Sequence, residues 1–191
     1  MKKLYKEDDQ GNLLYAEYWV KSEALAVIHT GKVGKEGTTE EFDMLGKFGS
    51  EKQFIKHFIN KFEPKGYGTF PASRKTYLVV QFPMKSLKGN KRDHWLKEKV
   101  MEYLDNELGW RGLGHIDGFD MGEMTNFPQS YALNIFSEVV DEEKGVTTIK
   151  RCLRTYRLDY TRIKIASRPL LSTAPFELKY SAKKKDQTFS I

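Results

Sequence analysis

The sequence predicts an α+β protein made of two consecutive modules, and three observations carry that reading. Short runs rich in aromatic and β-branched residues, separated by turn signals, fill residues 11–43. A strongly amphipathic helix follows at residues 50–62. Beyond residue 75 the apolar pattern switches between strand and helix periods in the order β-α-β-β-α-β.

In the first module, GNLLYAEYWV opens with the turn pair Gly11–Asn12 and continues as a strand. Tyr15, Glu17 and Trp19 fall on one side of it, Ala16, Tyr18 and Val20 on the other. Lys21–Ser22 turns the chain into a second strand, EALAVIHT, and TTEEFDML reads as a third. Between the last two lies VGKEG, preceded by Thr30, Gly31 and Lys32. The helix SEKQFIKHFINKF has Ser50 as N-cap and Gln53 three residues on, a capping-box spacing. Phe54, Ile55, Phe58, Ile59 and Phe62 make one apolar stripe, and Pro64 ends it.

The order of strands, glycine-rich turn, helix and the closing Lys65-Gly66-Tyr67 resembles the WGR domain over residues 11–68. That family is named for a Trp-Gly-Arg turn and is known from poly(ADP-ribose) polymerases and bacterial proteins. Here Thr30-Gly31-Lys32 occupies the turn. In the polymerases the resemblance implies a tryptophan packed on a DNA end and an arginine making domain or nucleic-acid contacts. Threonine offers no stacking face, and lysine keeps the charge without the planar fork. Gly31, Gly34 and Gly37 are expected to supply positive φ. A phosphate-binding loop is excluded, because Gly34-Lys35-Glu36 lacks the hydroxyl residue and a helix does not follow.

The domain plan is 1–68 for the first module, 69–75 for a linker, and 76–191 for the second module. In the latter, KTYLVVQFPM is apolar on both sides and reads as a central strand. NKRDHWLKEKVMEYLDNELGW is a helix burying Leu96, Val100, Tyr103, Leu104 and Leu108, stopped by Gly109. GHIDGFDMG and YALNIFSEVVD are two strands around a loop. EKGVTTIKRCLRTYRL is a helix with Val146, Ile149, Leu153 and Tyr156 on one face, and TRIKIAS is the last core strand. Phe176, Leu178 and Tyr180 alternate with charges as an extra strand. The order matches a ferredoxin-like split βαβ arrangement, with both helices on one sheet face. This fold hosts many activities and assigns none. Neither TYLVVQF nor ALNIFSEV matches the RNA-binding signature, and Phe82 and Phe136 read as core.

Composition bounds the function classes. The 191 residues carry a formal charge of +6, and 39% are apolar. Residues 1–71 have net charge 0, residues 72–142 have −2, and residues 143–191 have +8. An anionic partner is therefore drawn to the C-terminal quarter. Cys152 is the single cysteine, which excludes an internal disulfide and a CxxC zinc site. No run approaches the roughly 18 apolar residues of a membrane span. The lysines at the N-terminus are not followed by an apolar run, so a cytoplasmic protein is expected.

The stretch 112–127 holds His115, Asp117, Asp120, Glu123 and Asn126, but not at calcium-loop spacing. Asp117–Gly118 reads as a hairpin turn, with a partner-binding loop as the alternative. No catalytic, metal or cofactor constellation has a local signature, and an enzyme is the least favoured class. Lys150, Arg151, Arg154 and Arg157 flank the apolar stripe of the last helix. Arg162, Lys164 and Arg168 follow, then Lys183-Lys184-Lys185. The expectation is a non-enzymatic protein binding nucleic acid or an acidic protein through this basic surface. A protein-interaction or regulatory module is the alternative.

Overall fold

The computed structural model describes residues 2–183 and 186–191, so Lys184 and Lys185 lie outside the described residues. The chain divides into two compact units, Met1–Phe70 with Trp110–Gly112, and Pro71–Gly109 with Leu113–Ile191. The chain passes from one unit to the other after Phe70, and Trp110–Gly112, which the sequence plan puts in 76–191, groups with the first unit. Phe70 in the expected linker, 69–75, is buried, and Gly68 pairs with Tyr5, so this linker carries more structure than its composition suggests.

The first unit is a four-stranded antiparallel sheet in the order β1-β2-β3-β4. Its strands are β1 (Lys2–Glu7), β2 (Leu13–Val20), β3 (Leu25–Lys32) and β4 (Thr38–Asp43). Strand β1 was not anticipated. Its charges disguise it, yet Leu4 is buried opposite Ala16. The run TTEEFDML is not all strand. Asp43 caps Gly46 N–H and starts a short helix α1 (Met44–Phe48). Helix α2 (Glu51–Phe62) follows, with the Ser50 hydroxyl accepting from Gln53 N–H at 3.4 Å. Phe54, Phe58 and Phe62 recur every four residues and are buried against Ala16, Tyr18, Ala26, Ile28 and Phe42. Burying each ring contributes about 1.5–3 kcal/mol relative to leaving it in water.

The second unit is a five-stranded antiparallel sheet in the order β6-β7-β5-β8-β9. The strands are β5 (Thr76–Met84), β6 (Gly114–Met124), β7 (Phe127–Val139), β8 (Lys164–Pro169) and β9 (Glu177–Ser181). Helix α3 (Lys91–Gly109) joins β5 to β6 and α4 (Glu142–Thr155) joins β7 to β8. Each helix thus links two strands separated by one neighbour, the split arrangement that the element order predicts. The helices lie on one face. A Cβ on Gly145 would meet Leu78 at 2.7 Å, Lys97 sits over the Phe119 ring, and Tyr103 stacks on Tyr156 at 4.1 Å. Tyr103 and Tyr156 therefore pair at the outside of the helical layer instead of entering the core, and Tyr156 is exposed.

Asp117–Gly118 is not a hairpin turn. The turn lies at Thr125–Asn126, and residue 117 is the extra residue of a bulge between Ile116 and Gly118. Glycine and aspartate are tolerated there because β6 is an edge strand with much of its surface in water.

The glycine-rich turn also differs from expectation. Only Gly34 has positive φ, at 89°. Gly31 and Gly37 are required for close packing instead. A Cβ on Gly31 would lie 2.8 Å from the Gly37 Cα. One on Gly37 would run into the Thr30 carbonyl oxygen and the Tyr15 hydroxyl, and would lie 2.6 Å from His29 Nε2. Gly37→Ala is expected to cost about 3 kcal/mol, because a backbone oxygen cannot step aside. Gly118→Ala has open space and is expected to stay within about 0.5 kcal/mol. Urea midpoints of the two variants check the contrast.

Candidate nucleic-acid interface

Alternate residues of the second sheet build its helix-free face. Asp120, Asn134, Gln81 and Lys164 stand side by side across β6, β7, β5 and β8. Asn134 Nδ2 donates to Asp120 Oδ1 at 2.7 Å, and Gln81 Nε2 donates to Asn134 Oδ1 at 2.9 Å. The next row holds Gly118, Phe136, Val79 and Ala166, and the one beyond it Glu138, Tyr77 and Arg168. Tyr77 and Phe136 occupy the two central strands and stack at 5.4 Å with 10° between ring planes. Phe136 thus belongs to this face, not to the core under the helices, whereas Phe82 is core. Burial, then the hydrogen bond to Asp117 Oδ2 at 2.6 Å, pushes the Tyr77 phenol above its ordinary 10.0. Its hydroxyl stays a donor and its ring is fixed.

The C-terminal segment, residues 186–191, lies on this face. Gln81 Nε2 donates to the Ser190 carbonyl at 2.8 Å, Asn126 Nδ2 to Ser190 Oγ at 3.1 Å, and Thr125 N–H to the Ile191 carbonyl at 2.8 Å. Lys164 Nζ reaches the Thr188 carbonyl at 3.4 Å. Phe189 meets Phe176, which meets Phe136 and Tyr77. Val79 and Ala166 are fully buried although they point away from the helices. Asp186 is held below its ordinary carboxyl value by the Ser181 hydroxyl first, and also by Lys164 and Lys183.

Beside the segment lies a hollow of about 390 Å³, lined by Met124, Phe127, Tyr131, Arg162, Lys164 and Lys183 among others. Three cations line it against one carboxylate, Asp186, with Phe127 beside them. A second hollow of about 480 Å³ contains Arg74, Lys75, Arg168 and Lys179. Two of its lysines already hold carboxylates: Lys75 pairs with Glu138 at 2.9 Å, and Lys179 with Glu142 at 3.1 Å and Glu177 at 2.8 Å.

The seven basic residues singled out from sequence are divided between layers. Arg162, Lys164 and Arg168 share the parity of the helix-free face, with Arg168 over the rings of Phe176 and Tyr77. Lys150, Arg151, Arg154 and Arg157 belong to α4 and its C-terminal end. Lys150 sits over Tyr180 at 4.3 Å, Arg151 pairs with Glu107 at 3.1 Å, and Arg154 lies over Tyr160. The helical-wheel pattern gave no warning of this division. Gln81 in TYLVVQF was the available signal: a polar residue inside a central strand must find partners.

In the first unit Thr30 is half-buried on β3, Gly31 packs under Tyr15, and Lys32 is exposed at the strand's end. Alternation along the strands also buries a chain of polar groups there. Lys3 Nζ lies 2.9 Å from Glu17 Oε2, Glu17 Oε1 lies 2.8 Å from His29 Nδ1, and His29 Nε2 lies 3.0 Å from Tyr15 Oη. The Tyr15 hydroxyl donates to the Trp110 carbonyl at 3.0 Å. Burial, then Glu17, pushes this phenol above its ordinary 10.0. A tyrosine so protonated is a poor nucleophile, and the chain ends on a backbone carbonyl. It holds strands together. Among the described residues, no three of His, Cys, Asp and Glu lie close enough to hold a metal ion, and no helix is long and apolar enough to cross a membrane.

No family model, no characterised protein and no solved structure matches this chain.

Glu17→Ala is expected to destabilise the first unit by about 3–5 kcal/mol, because it leaves Lys3 and His29 buried without their shared carboxylate. Urea unfolding followed by tryptophan fluorescence measures it, since Trp19 lies against His29.

Proposed function

We propose that this protein is a non-enzymatic, cytoplasmic binding protein whose second unit takes single-stranded nucleic acid on the helix-free sheet face. The observation that carries the reading is the convergence of Arg162, Lys164 and Lys183 with Phe127 at one hollow, on the face that also carries the stacked Tyr77 and Phe136. Cations that follow a backbone and rings that receive bases are the two components single strands require. Base–aromatic stacking typically contributes about 1–3 kcal/mol per base. Contacts to phosphates release counterions and give affinity with little sequence preference. The first unit, WGR-like by its turn, helix and Lys-Gly-Tyr, serves as a folded neighbour without the ring that would meet a DNA end.

The test is fluorescence anisotropy with labelled single-stranded and duplex oligonucleotides at several salt concentrations. Replacing Arg162, Lys164 and Lys183 together by alanine should flatten the log–log salt slope by about 2, given about 0.7 per phosphate on a single strand. Alanines at Lys150, Arg151 and Arg154 should leave the slope nearly unchanged, since these cations face the helical layer. Equal losses from both sets would overturn the assignment of the surface. No binding at low salt would overturn the nucleic-acid reading and favour an acidic protein as partner.

A further inference from the structure

We propose that residues 186–191 form an internal strap that occupies the nucleic-acid site and must lift before a strand binds. The inference rests on the reading above and adds its regulation. It follows from the direction of the hydrogen bonds. Gln81 Nε2, Asn126 Nδ2, Thr125 N–H and Lys164 Nζ all donate, and Ser190, Ile191 and Thr188 accept. The covered surface therefore offers donors to its occupant. An occupant that replaces the strap must bring acceptors at each of those points, or buried donors are left unpaired.

A single-stranded nucleic acid fits that requirement. Its phosphates and base carbonyls are acceptors, and its bases present flat faces to an apolar floor. That floor exists: Tyr77 and Phe136 stack on this face, and Phe189 of the strap meets Phe176, which meets both of them. The charge agrees as well. Lys164 serves the Asp186 carboxylate at 3.7 Å and the Thr188 carbonyl while the strap is down. Lifting the strap releases Lys164, next to Arg162 in the same hollow, for a phosphate. Asp186 and the carbonyls of the strap stand where an anionic backbone would run.

The strap is also built to move. Its aromatic anchor, Phe189, is half-buried against Phe176 at 6.1 Å. Gln187 and Thr188 are exposed. Beyond Asp186, which the Ser181 hydroxyl and Lys164 hold, residues 187–191 are fixed to the sheet by few polar contacts, and such a segment is drawn from the low-stability end of the fold.

The test compares the full chain, its Phe189→Ser variant, and a chain lacking Gln187–Ile191. Anisotropy with oligouridine RNA and oligothymidine DNA reads affinity. Amide hydrogen exchange at Thr125, whose N–H holds Ile191, reads the strap itself. Both variants should bind about tenfold tighter than the full chain, the gain expected if the strap is open about a tenth of the time. Thr125 in the full chain should lose protection when oligonucleotide is added. Should the shortened chain fail to fold, the Phe189→Ser variant and the exchange measurement still decide. Equal affinities, or Thr125 remaining protected in the complex, would overturn the strap while leaving the binding reading intact. Absence of binding by all three proteins at low salt would overturn both.

Discussion

Gln81 sits at the middle of the central strand of the second sheet, covered on the helix-free side by the chain's own end. A primary amide there must satisfy most of its hydrogen bonds within the protein, because only a small part of the residue meets water. Much of the architecture of that face follows from this requirement. Asn134 stands opposite Gln81 across one ladder and passes the chain of hydrogen bonds to Asp120. The second hydrogen on Nε2 takes the Ser190 carbonyl from 109 residues away. The same register that aligns this polar row turns Leu78, Val80 and Phe82 toward α3 and α4. A slip of one residue would exchange the two sets and bury Gln81 among leucines. The face is thus specific because one polar residue in an apolar strand has few ways to be satisfied.

The parts of this fold that were legible in the sequence are those specified by local period. Phe54, Phe58 and Phe62, or Leu96, Val100, Leu104 and Leu108, announce buried helix faces because four-residue spacing puts them on one side. Strand β1 was not legible, since KKLYKE looks like a charged leader until pairing with β2 gives Leu4 a core to enter. β6 reads as a strand, but its Asp117–Gly118 pair reads as a hairpin turn because aspartate and glycine favour turns. Its neighbour β7 supplies the hydrogen bonds that hold it extended. The roles of Gly31 and Gly37 were likewise set by Tyr15 and His29, side chains brought there by pairing between strands.

The candidate site shows the same limit more sharply. Counting charge by sequence segment places +8 in residues 143–191, and that total says nothing about direction. On α4 the cations turn along the helical layer, where Glu107 and the rings of Tyr180 and Tyr160 engage three of them. On β8 and just before it, the strand period sends Arg162, Lys164 and Arg168 to the other side of the sheet. A helix period and a strand period, read from neighbouring segments, thus divide one basic stretch between two layers. No property of the segment as a whole reveals the division.

Coverage of the helix-free face by a segment of the same chain alters how its affinity should be understood. A tethered segment competes as a ligand at an effective concentration fixed by the short connection from β9, which reaches the millimolar range for short linkers. An external strand must exceed that competitor before any contact is scored, and its apparent affinity falls by the fraction of time the face is open. Acceptor matches acceptor, and Lys164 is engaged in either case, so the exchange conserves most of the hydrogen bonds. The balance is then set by what the two occupants do not share. The strap loses the Phe189 ring contact and gains freedom. The incoming strand gains stacking on a face that already carries Tyr77 and Phe136, together with the release of its counterions. Salt acts on the second of these and on the Lys164–Asp186 pair of the strap, and leaves the Phe189 contact almost unchanged. The balance between self-occupied and occupied faces should therefore shift with ionic strength through both occupants, more steeply through the strand with its several phosphates than through the single Lys164–Asp186 pair of the strap.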